Sequence, residues 1–179
     1  MYSHPLPYLH YLVHFHIDQD YFECHEVLED YWKKQTDQKR DSVWVGLIQV
    51  AVAFYHHRRG NWRGSEKMLQ KAIDILKKQM EQLDDLGIDS KSWLQQLSGR
   101  LAAIQHRHPF SPSNIPFTDC QIIEEYKHFQ RSCLPEVTAN PGKPDPFIIH
   151  KHAMRDRSEV ISERLKALAL RKPTNPSIQ

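Results

Sequence analysis

The sequence predicts an all-α protein: a compact bundle of about five helices, then an irregular C-terminal extension that ends in a long helix. Three observations carry this expectation. Apolar residues recur at spacings of three and four through the N-terminal part, the period of a helix with one buried face. The run from Val43 to Tyr55 is apolar nearly all round, which marks a central, enclosed helix. Residues that start and stop helices fall between the periodic segments.

Leu6 to Ile17 places Leu9, Leu12, Val13 and His16 on one face, with Pro5 or Pro7 in the first turn. Asp18 or Asp20 can cap a second helix, which ends near Gln35 to Asp37. Asp41 or Ser42 can cap the third, which holds the apolar run. Its β-branched residues would also suit a buried strand, but the run exceeds strand length and no second strand is available to pair with it. Arg58 and Arg59 complement the dipole of its last turn, and Gly60 fits the C′ position. Asn61 caps a fourth helix with Ser65, Leu69, Ala72, Ile73, Leu76, Met80 and Leu83 as core positions. Gly64 and Ser65 permit close approach to a neighbour, and the short connection makes the third and fourth helices an antiparallel hairpin. Gly87 ends that unit. Asp89 or Ser90 then caps a fifth helix, with Trp93, Leu97, Leu101 and Ile104 along one stripe.

This first region, residues 1–106, is the helical bundle. Residues 107–146 read as a Pro-rich connection that contains one short helix: Thr118 and Gln121 have capping-box spacing, and the helix runs through Phe129. Asp145-Pro146 resembles an N-cap and first turn for a C-terminal helix over 147–171, followed by a disordered tail at 172–179. The stripe Met154, Ile161, Leu165 and Leu168 suits docking on the body, on a protein partner or on a second copy of the chain.

Composition excludes several classes. With 40% hydrophobic and 26% charged residues, the chain can bury a core without disulfides. A net charge of +2 gives no field that would favour nucleic acid or a membrane surface. No apolar run approaches the ~20 residues that span a bilayer. The N-terminus lacks the basic and apolar regions of a secretory signal. Cys24, Cys120 and Cys133 are odd in number and lack CxxC spacing, which suits reduced thiols in a cytoplasmic protein.

The chemistry concentrates on the second helix. At 100° per residue, His25 falls in the middle of a face lined by Tyr21, Phe22, Leu28 and Trp32. Glu29 lies one turn further along that face, Glu26 at its edge, and Cys24 off its centre. A carboxylate in a core needs a partner. Gln49 and His56 on the third helix are placed to supply one, so His25, Glu29, Gln49 and His56 are expected to meet where the two helices cross. Three readings stay open. The first is a purely structural hydrogen-bond network. The second is a divalent-metal site through His25, Glu29 and His56, since imidazole and carboxylate from facing helices are how bundles hold metals. His-Glu-x-x-Glu lacks the second histidine of a zincin, so that protease class is disfavoured. The third is an acid–base or anion pocket using His25, Glu26 and the nearby arginines. A separate candidate anion site is Arg59, Asn61 and Arg63, at the start of the fourth helix, where unpaired backbone N–H groups can hold a phosphate.

Two motifs resemble one family. Tyr21-Phe22-Glu23-x-His25-Glu26-x-Leu28-Glu29-x-x-Trp32 is similar to the signature of the bacterial and archaeal family called domain of unknown function 309. So is Gly46-Leu47-Ile48-Gln49-x-Ala51-x-Ala53-x-Tyr55-His56, followed by Arg59-Gly60-Asn61-x-x-Gly64-Ser65. The resemblance runs from Phe15 to Leu76, departs at Gln19 or Asp20 and at Ser65, and beyond Pro109 extends to the longer bacillus-type members. It implies a compact all-α bundle and brings no reaction with it. The family's shared polar residues map onto His25, Glu26, Glu29, Gln49, His56, Arg59, Asn61 and Gly64. Two functions follow as expectations: a polar pocket near His25 that takes a metal or an anion, or a non-enzymatic interaction module in which the cluster is structural.

Overall fold

Short-range signals and one buried helix dictate the architecture. The computed structural model describes residues 2–138 except Thr36 and Asp119, together with Ile148 and Ile149. Among them are seven α-helices and no strand: α1 (Leu6–Val13), α2 (Tyr21–Lys33), α3 (Val43–Arg58), α4 (Trp62–Leu76), α5 (Met80–Asp85), α6 (Ser90–Gln105) and α7 (Gln121–Cys133). Apart from Ile148 and Ile149, the expected C-terminal helix at 147–171 and the tail at 172–179 lie outside the described residues. None of the described helices is long and apolar enough to cross a membrane.

Side chains start the helices where the sequence places them. Asp20 accepts from Glu23 N, Ser42 from Val45 N, Asn61 from Gly64 N and Asp89 from Ser92 N. Gly60, at φ +70°, ends the α3 region in the left-handed conformation that costs glycine little. α3 is buried on nearly every side, packed between α2 and α4. Its contact with α4 is tight at both ends: Ser65 Oγ donates to Ala53 O at 2.8 Å, and Gly46 lies against Leu76. α6 packs on α4, and α1 packs on α2 and α7. Buried phenols fix α1 in place. Tyr8 Oη donates to Leu86 O at 2.9 Å and Tyr11 Oη to Leu47 O at 3.3 Å. The amides of Ser3 and His4 and the His4 ring bind the Glu125 carboxylate of α7, the His4 Nδ1 to Oε2 distance being 2.8 Å.

The structure corrects the sequence reading at four places. The first helix does not continue to Ile17 as α-helix. It widens into a π-helical turn over His14–Asp18, closed by His14 Nδ1 to the Asp18 carboxylate at 2.9 Å and by Gln19 at φ 56°. That turn carries Phe15 into an aromatic cluster with Tyr21, Phe54 and Trp93. The expected fourth helix breaks after Leu76, where Lys78 N and Gln79 N bond back only three residues, and its remainder is the short α5. Thr118 forms no capping box: its N–H and hydroxyl both donate to Gly87 O, and α7 starts later and runs to Cys133. Of Gly64 and Ser65, expected to admit a neighbouring helix, Gly64 faces its own cap Asn61; the close approach is made by Ser65 and by Gly46.

Two predictions follow from this packing. A methyl group at Gly46 would lie 2.4 Å from Leu76 Cδ2 and 2.8 Å from Cγ, and Leu76 is fully buried. Overpacking of that kind costs about 1–3 kcal/mol, against about 1 kcal/mol gained in helix propensity. Gly46→Ala is therefore expected to lower stability in urea denaturation, where an unchanged or raised midpoint would contradict the contact. The second concerns acid. His16 packs against the Phe117 and Tyr126 rings with its Nε2 buried and unpartnered, and burial holds its pKa down at about 4. Such a group binds fewer protons folded than unfolded, so its contribution is whole above pH 6.5 and is lost as pH falls toward 4. The loss amounts to up to about 3 kcal/mol. His16→Phe is expected to flatten the fall in thermal midpoint between pH 6.5 and 4; an unaltered slope would remove His16 as its source.

Candidate functional site

Helix α2 turns a cap and a stripe into a site. With Asp20 holding its first turn, Tyr21, Cys24 and Leu28 form the buried stripe, at spacings of three and four. Cys24 is the centre of that face: it is fully buried, and its Sγ lies 3.5 Å from Tyr11 O. Phe22, His25, Glu29 and Trp32 form the neighbouring stripe, one residue around. The face is thus rotated by about 100° from a face centred on His25. The reason is Trp32, which reads as core but is only part-buried, its Nε1 donating to Lys39 O at 3.1 Å. Consequently His25 and Glu29 lie on the rim beside Glu26 rather than in the core, with side-chain exposures of 25%, 34% and 31% respectively.

On that rim the three residues converge. Their ligand atoms all lie within 4.8 Å of one another, the one such group of three or more among the described residues. His25 Nδ1 is 3.1 Å from Glu26 Oε1, and Nε2 is 3.4 Å from Glu29 Oε2. Lys33 Nζ approaches the other Glu29 oxygen at 3.3 Å. Phe22 packs beneath His25 and against Tyr55 of α3, with ring centroids 6.1 and 6.0 Å apart.

The pairs Phe22–Tyr55 and Tyr31–Trp44 set an antiparallel register between α2 and α3. In that register Gln49 lies level with Val27, between His25 and Glu29 along the axis. Its Oε1 is buried and has no hydrogen-bond partner. His56 lies level with Asp20, roughly 7 Å of helix rise from His25. Its Nδ1 accepts from Asn61 Nδ2 at 3.1 Å, and it is not one of the convergent group.

The candidate anion residues are held by their neighbours. Arg59 Nη1 donates to Tyr55 Oη at 3.0 Å, and its guanidinium lies 5.2 Å from that ring's centroid. Asn61 satisfies the Gly64 N–H of α4 itself, at 3.0 Å, and Arg63 is exposed in the first turn.

A second polar cluster lies at the other side of α3, and the sequence reading passed over most of it. His57 is buried; its Nε2 donates to His108 O at 2.9 Å, while its Nδ1 faces Arg100 Nη1 at 3.4 Å. Burial lowers the His57 pKa, the His108 bond opposes this, and Arg100 lowers it further. Arg100 stacks on Phe54 with its guanidinium carbon 4.1 Å from the ring centroid. The signal was present in the sequence. Trp93, Leu97 and Ile104 form the apolar stripe of α6, and Arg100 falls at the same spacing, a cation on the buried face.

Comparison with known proteins agrees with the motifs. The family described as Domain of unknown function (DUF309) matches residues 8–68, which span α1 to the first half of α4 and include the whole rim cluster. The chain is 37% identical over 178 residues to "Uncharacterized protein YpuF" of Bacillus subtilis (strain 168), covering 94% of this chain and 97% of that protein. No solved structure matches.

The geometry makes Asn61 a helix cap first. Asn61→Ala is expected to cost about 1 kcal/mol of stability in chemical denaturation, and Asn61→Asp to restore most of it. A full-length chain indifferent to both changes would show that the cap does not hold α4.

Proposed function

The chain belongs to the DUF309 family, and we propose that it holds a divalent metal ion on the α2 rim through His25, Glu26 and Glu29. The observation that carries this reading is the convergence of one imidazole and two carboxylates within 4.8 Å on a single helical turn. Ligands at about 2.1 Å from a shared metal lie roughly 3–4 Å from one another, so atoms within 4.8 Å need only a small side-chain adjustment to share an ion. A cation placed among them neutralises the acidic pair. One nitrogen and two oxygens suit zinc, manganese or iron better than calcium. Gln49 Oε1, buried and unpartnered at the same level of α3, supports an oxygen donor from the facing helix.

Three protein ligands leave positions open, and the part-exposed rim lets water reach them. A metal held in that way supplies Lewis-acid or hydrolytic chemistry. We read the protein as cytoplasmic, since Cys24, Cys120 and Cys133 are free thiols and the latter two are exposed. The competing reading is a surface charge network in which Lys33 balances Glu29.

Elemental analysis of protein produced without a histidine tag decides between them. About one equivalent of metal is expected, lost in His25→Ala and in Glu29→Gln. Because these side chains sit on the rim, both variants are expected to fold. Added metal should raise the thermal midpoint of the wild type alone, by up to about 3 kcal/mol of stability at a hundredfold excess over Kd. Metal-free protein, or metal retained equally by both variants, would leave the Lys33 network as the account of the cluster.

A further inference from the structure

Arg58 ends α3 with its side chain turned inward, where an unpaired charge is costly. Its guanidinium carbon lies 4.9 Å from the centroid of the Tyr21 ring, and its Nη1 donates to Gln19 O at 2.7 Å. The opposite edge of the guanidinium is different. Both Nε and Nη2 are buried, and neither has a hydrogen-bond partner. Tyr21, against which Arg58 packs, is fully buried, and its hydroxyl also has no partner. Native interiors leave few such groups unsatisfied, and three on two touching side chains point to a ligand.

The Nε/Nη2 edge is the side-on fork of arginine, two parallel N–H groups spaced to meet the two oxygens of one oxyanion. Burial pushes the Tyr21 phenol well up, against the opposing pull of Arg58, so the hydroxyl keeps its proton and can donate. From these three donors we infer that Arg58 and Tyr21 bind a small monocarboxylate between α2 and α3.

The surroundings set the charge of the ligand. The other buried cation, Arg100, is engaged: Nη2 donates to Ser111 O at 2.7 Å and to Ser113 Oγ at 2.9 Å, and its plane is stacked on Phe54. Among the described residues neither arginine forms a salt bridge. Asp20 acts on Arg58 through its charge, but its carboxylate caps α2. The Arg58 charge, partly offset by the buried Asp20 carboxylate, faces the ligand among the rings of Tyr21, Phe54 and Phe110. A singly charged anion suits it, whereas a phosphate dianion would bury surplus negative charge.

The test is a thermal-shift and calorimetric titration of the full chain with sodium formate, acetate and phosphate, with sodium chloride as the ionic-strength control. Formate or acetate is expected to stabilise saturably and beyond chloride. Tyr21→Phe should weaken that binding about tenfold. The same change removes a hydroxyl that has no partner, so the ligand-free midpoint should stay level or rise. Arg58→Lys, which keeps the charge and loses the fork, should abolish saturation. Three results would overturn the inference: no carboxylate response beyond chloride, a saturable response to phosphate alone, or carboxylate binding unchanged in both variants.

Discussion

Everything in this fold follows from the burial of α3. A helix that is apolar nearly all round must be covered on every side, so α2 and α4 are pressed against it and the remaining helices close over that trio. The hairpin with α4 is tight enough to require glycine at position 46 and to let the Ser65 hydroxyl reach a main-chain carbonyl of α3. Polar chemistry is thereby displaced from the middle of α3 to its borders. One border is the α2 rim, where His25, Glu26 and Glu29 meet solvent. The other is the C-terminal turn of α3, where His57 and Arg58 turn inward.

These two borders differ in what surrounds their charges. On the rim, two carboxylates face one imidazole and one lysine, and water screens all of them, so a pair there contributes little to stability. At the α3 terminus the charges are cationic, enclosed by aromatic rings and without acidic salt-bridge partners among the described residues. The first arrangement attracts a cation and the second an anion.

The sequence made the helices legible because their signals are local. Caps at Asp20, Ser42, Asn61 and Asp89 each depend on a side chain and an N–H three residues away. What it concealed is rotation and tertiary choice. With Trp32 as a core residue α2 would be turned by one residue and His25 would face inward; the indole instead binds the main chain at Lys39. His25 and Glu29 stay neighbours whichever way the helix faces, since i and i+4 lie one turn apart, but Glu26 joins them where His56 was expected. The π-turn at His14–Asp18 and the break after Leu76 have no composition marker: they arise from packing of Phe15 and from tightening of the last turn of α4. The Arg58–Tyr21 pair joins residues far apart in sequence, and only the crossing of α2 with α3 brings them together.

The clasp of His4 on Glu125 joins residues 121 positions apart. A ribosome adds that length in on the order of ten seconds. Through that interval the chain's first residues have been made and α7 has not, so Tyr2 and His4 stay without the surface they finally cover. α1 can meanwhile dock through Tyr11 on Leu47, a contact spanning only 36 residues. The clasp of His4 on Glu125 can therefore form only once α7 has been made.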